Sequence, residues 1–203
     1  MTSNPNDAAL QGPSSAVKEH ALRVLIKEAA NLAAFCEHVE HNETTRIDVI
    51  AHASTQLRHT AQLLAHASQL SLKGLYASRL RAVEQASLLV AVPLVDVTNL
   101  AGADAANEAT TWRHLQTAQL LHDRQFHPDV FGLSKLEQIR HYTFHITKLA
   151  GLLADAIDLN DWYTFEQTRL ADLAIFGVKT ATVCNFRLPE TPIDATEPEC
   201  SLS

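Results

Sequence analysis

The sequence predicts an all-α fold, an antiparallel helical bundle of about six helices with disordered N- and C-terminal tails. Three observations carry the prediction. Of the seven prolines, only Pro93 and Pro128 fall between residues 16 and 186, and because proline interrupts helix interiors and central strands alike, the chain between is free to form long elements. Ala, Leu, Gln and Glu dominate that stretch, and these residues favour helix over strand. Its apolar side chains recur at three- and four-residue steps, the period of a helix with one buried face.

Residues 1–14 and 188–203 are rich in Pro, Ser, Thr and acidic side chains, and no Lys or Arg follows Arg187. Both read as disordered tails around one bundle domain, 15–187. Within it, helices are expected over 15–41, 44–70, 73–92, 104–125, 134–159 and 161–185, with a less regular stretch over 93–102. In the second helix Ile50, Ala53, Leu57, Ala61 and Leu64 share a core face. The opposite stripe carries Asp48, His52, His59 and His66. Seven-residue steps separate these histidines by about 10 Å, too far to share one ion, so the stripe reads as a polar or partner-facing edge.

The fifth helix has the best-defined start. Ser134 and Glu137 form a capping-box pattern just after Gly132. Ile139, Tyr142, Ile146, Leu149, Leu153 and Ile157 then follow along one core-facing stripe. Short connections between such helices favour up-and-down packing. Lys27-Glu-Ala-Ala-Asn-Leu-Ala and Lys148-Leu-Ala-Gly-Leu-Leu-Ala match in register at Lys, Ala, Leu and Ala, which raises a duplicated helical hairpin as an expectation.

With 203 residues, 46% of them apolar, the chain is long enough to bury a sizeable core. A net charge of -7 gives no broad basic surface for nucleic acid. Cys36, Cys184 and Cys200 are far apart and form no C-x-x-C, so neither a disulfide framework nor a cysteine zinc site is expected. The N-terminus lacks the basic and apolar regions of a signal peptide, and no apolar run approaches the roughly 18 residues of a membrane span. The expectation is a soluble, cytoplasmic protein without a membrane partner. G-x-S-x-G, a glycine-rich phosphate loop and H-E-x-x-H are absent.

Histidine is abundant, at 11 residues, and clusters in two places. Glu137, His141 and His145 are spaced i, i+4, i+8 and stack along one edge of the fifth helix. The segment His122-Asp123-Arg-Gln-Phe-His127-Pro-Asp129 adds two histidines and two carboxylates at the end of the fourth. Antiparallel packing would bring the two sets toward each other. A divalent metal on His122, His127, Glu137, His141 and His145 is therefore the candidate cofactor, since mixed imidazole and carboxylate ligands suit zinc, iron or manganese.

Arg140 and His145 also fit an R-x4-H spacing, with the polar His141 after the arginine, and this resembles the motif of the HEPN ribonucleases. The resemblance implies an all-α dimer in which Arg140 and His145 assist RNA cleavage without a metal. In one continuous helix residues five apart point about 140° from each other, so the pair would have to meet across a two-fold axis.

The last two helices, HITKLAGLLADAIDLND and RLADLAIFGVKTATVCN, resemble those of the MazG-type nucleoside triphosphate pyrophosphohydrolases. Lys148, Leu149, Asp155 and Asp172 fall on that family's pattern, while Gly151, Leu152 and Arg169 stand where it has glutamates. The resemblance implies Mg²⁺ ions and a nucleotide held by Asp155 and Asp172, with Asp158 and Glu166 as substitutes for the missing charge.

Three functional readings follow. The first is a binding or assembly protein, as a homo-oligomer or with a protein partner, carrying a His/carboxylate metal site. The others are a Mg²⁺-dependent nucleotide pyrophosphohydrolase and a metal-free ribonuclease.

Overall fold

The computed structural model describes residues 12–41, 46–76 and 111–190. Helix α1 (Ser15–Glu40) starts where the Ser14 hydroxyl accepts a hydrogen bond from the Val17 amide, which satisfies one of the amides a helix start leaves unpaired. Helix α2 (Asp48–Ala67) opens on an acidic residue, favourable against the helix dipole. It ends at Ser68 and Gln69, where Gln69 has a φ of 56° and the Leu70 amide closes back on the Ala65 carbonyl. Residues 72–76 are again helical; the remainder of the helix expected over 73–92, the stretch 93–102 and the first turns of the one expected over 104–125 lie outside the described residues.

Helix α3 (Trp112–Phe126) is capped by Thr111. A single turn, α4 (Pro128–Phe131), comes next. Helix α5 (Lys135–Asp158) carries the expected capping box: the Ser134 hydroxyl accepts from the Glu137 amide while the Glu137 carboxylate accepts from the Ser134 amide. The long final helix expected over 161–185 is instead two, α6 (Trp162–Thr168) and α7 (Leu170–Val183), broken at Arg169 with φ −123°. The break lets Trp162 and Phe165 turn inward together, both buried with rings 5.3 Å apart.

Helix α1 lies against α2 and α5, and α7 lies against the same two, so these four close a bundle. Neighbours run antiparallel. Glu28 in the middle of α1 faces His52 early in α2, Glu40 at the end of α1 pairs with Arg140 near the start of α5, and Ser54 in the first half of α2 donates to the Gly177 carbonyl just past the middle of α7 at 2.8 Å. Leu25, Leu32, Ile50, Leu57, Ile146 and Leu153 are fully buried between them, each contributing about 1.5–3 kcal/mol. Trp162 seals one end, its indole donating to Ser68 Oγ at 3.0 Å under the Lys18 ammonium. Among the described residues no helix is long and apolar enough to cross a membrane.

The two hairpins bury the same register. Lys18, Ala21, Leu25, Ala29 and Leu32 of α1 are buried, and so are Ile139, Tyr142, Ile146, Ala150 and Leu153 of α5, each 121 positions later. Ile50, Ala53, Leu57, Thr60 and Ala61 of α2 find buried counterparts 120 positions later in Leu170, Leu173, Gly177, Thr180 and Ala181 of α7. Helix α1 thus meets its counterpart α5, and α2 meets α7, in the antiparallel arrangement that a local two-fold axis would produce.

Helix α3 packs on the flank of α7. Beyond α7 the chain returns along α3: Leu188 is buried, its amide donates to Gln116 Oε1 at 3.0 Å, and Arg113 pairs with Glu190. Residues 188–190, expected in the C-terminal tail, therefore belong to the packed domain.

Candidate metal centre

The end of α3 builds the site. A residue before proline is pushed out of the helical region, and His127, before Pro128, takes φ −132° and ψ 50°. Residues five apart in an unbroken helix diverge by about 140°. The break at His127 removes that divergence and turns its imidazole back toward His122, with ring centroids 5.3 Å apart. Asp123 lies beside them. Ligand atoms of His122, Asp123 and His127 come within 4.8 Å of one another, and this is the set of three such groups that the fold assembles among the described residues.

Asp123 points inward and is 7% exposed. Its Oδ1 accepts from Gln119 Nε2 at 2.8 Å and from the Lys179 ammonium at 2.9 Å, and lies 3.1 Å from His122 Nδ1. Gln119 is held in turn by the fully buried Tyr76, whose hydroxyl donates to Gln119 Oε1 at 2.6 Å. Burial, with a smaller push from the Asp123 charge, raises the Tyr76 hydroxyl well above the ordinary phenol range, so it stays a donor. Burial also pushes the Asp123 carboxyl up, but the bond from His122, the Lys179 ammonium and the bond from Gln119 together outweigh it. The net position is below the ordinary carboxylate value, and Asp123 is an anion at neutral pH.

His127 is shifted the other way. Burial and the charges of Lys179 and His122 lower its pKa, with Asp123 and Asp129 opposing. A neutral imidazole, the metal-binding form, results near pH 7. Two imidazoles and a carboxylate anchored by hydrogen bonds from behind form a donor set of the kind that holds zinc and other first-row ions.

A cavity of about 170 Å³ adjoins Asp123 between α3, α5 and α7, lined by Lys135, Gln138, Tyr142, Lys179 and Asn185 among others. It is smaller than the roughly 300–1,000 Å³ of ordinary ligand pockets.

The other expected site residues are dispersed. Glu137 serves the helix start, its carboxylate bonded to Ser134 Oγ at 2.7 Å and to the Ser134 amide. His141 and His145 do neighbour each other, with centroids 4.6 Å apart, but His145 stacks on Phe176 of α7 at 4.8 Å. Neither they nor Glu137 belong to the close set around Asp123. Arg140 pairs with Glu40 across the α1–α5 contact, while His145 points to α7, so the continuous helix sends the two toward different neighbours. Asp155 and Asp158 are exposed on α5, Glu166 is half-buried on α6, and Asp172 lies 3.4 Å from Arg169 within α7. These four carboxylates are likewise outside the close set. On α2, His52 and His66 are exposed and His59 half-buried; His52 Nε2 lies 3.6 Å from the buried Glu28.

Within the close set the sequence points to His122 and His127 as candidate ligands but not to Asp123, and it gives no role to Gln119, Tyr76 or Lys179. One signal was available. Lys179 is the only charged residue in the apolar run from Leu173 to Val183, and a lysine so placed needs a buried counter-charge. Comparison with family models, with curated proteins and with solved structures finds no match to this chain.

Proposed function

We propose that the protein works by binding a divalent first-row metal ion, with zinc the best fit, through His122, Asp123 and His127. The observation that carries the reading is the approach of three ligand atoms to within 4.8 Å of one another at the end of α3. Zinc bonds of about 2 Å place tetrahedral ligand atoms roughly 3.3 Å apart, a distance that imidazole rotation at the exposed His127 supplies. Three protein ligands leave a fourth position, which suits a water or a group from a binding partner. The Tyr76–Gln119 chain behind Asp123 supports the same reading, because outer hydrogen bonds of this kind orient a ligating carboxylate.

Zinc titration of metal-free protein, followed by competition with a chromogenic chelator, tests this directly. One ion per chain is expected, with affinity lowered at least tenfold in His122→Ala and His127→Ala and unchanged in His141→Ala and His145→Ala. No binding by the unaltered chain, or equal binding by the His122 and His127 variants, overturns the reading.

A further inference from the structure

We propose that Lys179 is a built-in competitor for the metal: its ammonium occupies the Asp123 oxygen until an ion arrives, and metal entry expels it into the adjoining cavity. The inference rests on the metal-binding reading above and concerns how that site is controlled.

Asp123 Oδ1 already accepts from Gln119 at 2.8 Å and from Lys179 at 2.9 Å, with His122 Nδ1 at 3.1 Å. An sp² oxygen has two lone pairs, so this atom has no further direction to offer a metal while both donors stay. His122 and His127 are both on the α3 side of the carboxylate, and the Lys179 ammonium comes from α7. A divalent ion bonded to Asp123 would stand a few ångströms from that ammonium. At this separation, in a site whose lysine side chain is 12% exposed, the repulsion between a double and a single positive charge is only weakly screened. One of the two cations has to leave.

The fold provides somewhere for the lysine to go. The cavity beside Asp123 has room for about 170 Å³ and is lined by Lys179 itself, by Tyr142, Gln138 and Asn185, and by a second cation, Lys135. Lys179 also rests against the rings of Tyr142 and Phe176, its ammonium 5.8 and 5.7 Å from their centroids. Those rings attract a cation independently of Asp123, so a small rotation of a four-carbon side chain exchanges the carboxylate for ring faces. Bonds balance in the exchange: one ammonium–carboxylate pair is broken, one metal–carboxylate bond forms, and no proton is transferred. The metal-loaded and metal-free forms would thus differ in where a buried positive charge of α7 sits between α3 and α5.

The alternative geometry is a bridge, in which the metal takes the second carboxylate oxygen and Lys179 stays on the first. The two predict different outcomes. Competition predicts that Lys179→Met binds zinc at least tenfold more tightly than the unaltered chain and that zinc exposes the Lys179 amine to acetylation; a bridge, which keeps the ammonium on the first oxygen, predicts that zinc leaves it as protected as before. Weaker or equal binding by Lys179→Met, with zinc still bound by the unaltered chain, overturns the inference and leaves the metal centre standing. If neither protein binds zinc, the centre fails and the inference with it. Acetylation of Lys179 in the unaltered chain, followed by mass spectrometry, decides between them whether or not Lys179→Met folds. Competition predicts faster labelling with zinc than without, and unchanged or slower labelling overturns it.

Discussion

Lys179 on α7 and Asp123 on α3 form an ion pair with 12% and 11% of their side chains exposed, joined at 2.9 Å. Both charges lose most of their water. That loss is offset because the carboxylate also accepts from Gln119 and lies 3.1 Å from His122 Nδ1, and because the ammonium lies against two aromatic rings. The pair joins α3 to α7 alongside the bond from Gln116 to Thr182, and a pair of this kind is far costlier to halve than to remove.

Asp123→Leu is therefore expected to destabilise the fold by about 3 kcal/mol, the low end for halving a buried pair, because only the Tyr142 and Phe176 ring faces then hold the Lys179 charge. Adding Lys179→Met to it should restore most of that loss. Urea denaturation of the two single variants and the double variant measures the coupling. Additive effects would show that the pair contributes nothing beyond its separate residues.

His145 gives the stability a pH dependence. Burial lowers its pKa, the nearby charges of His141, Lys148 and Lys179 lower it further, and Asp172 opposes them. The unfolded chain takes up a proton near the ordinary value of 6.5, and the folded chain resists doing so until a lower pH. The contribution is complete above 6.5 and is lost as pH falls through the window below it. Denaturation midpoints at pH 7.5 and 5.5 should show a smaller drop in His145→Phe, which keeps the ring against Phe176, than in the unaltered protein.

The helices that could be read from the sequence are those whose signals are local. Ser134 and Glu137 stand three apart before an apolar stripe, and the capping box they form depends on nothing outside that turn. The break between α6 and α7 has no such mark: Arg169 sits in a run of acceptable helix formers, and the turn accompanies the inward packing of Trp162 and Phe165, which no local signal in the letters marks. The site divides in the same way. The density of histidines at His122 and His127 is visible in the letters, but a continuous helix would hold them apart, and only the helix end before Pro128 brings them together. Glu137, His141 and His145 had the better spacing on paper. Helix spacing aligns side chains without saying what they meet, and here they meet a serine, each other and a phenylalanine.

The same capping box supplies a measurable local contribution. Ser134→Ala removes the acceptor for the Glu137 amide and the partner of the Glu137 carboxylate, and should lower stability by about 1 kcal/mol. Ser134→Asp, which retains an acceptor at the cap, should recover most of it in the same denaturation assay.

Two glycines in the second hairpin should respond to alanine with opposite signs. Gly177 lies where α7 crosses α2, and a Cβ there would come 2.8 Å from Arg58 Cγ and 3.2 Å from both the Arg58 amide nitrogen and the Ser54 carbonyl oxygen. Two of those three atoms are backbone and cannot step aside without moving α2 away from the Ser54–Gly177 hydrogen bond. Gly177→Ala should therefore cost about 1–3 kcal/mol, the usual penalty of forcing atoms into a packed contact. Gly151, exposed on α5, has nothing within 4 Å of its would-be Cβ, so Gly151→Ala should raise stability by about 0.5–1 kcal/mol through helix propensity alone. Urea midpoints of the two variants separate the effects. Stabilisation by Gly177→Ala would mean that α2 and α7 do not approach as closely as the Ser54 hydrogen bond requires.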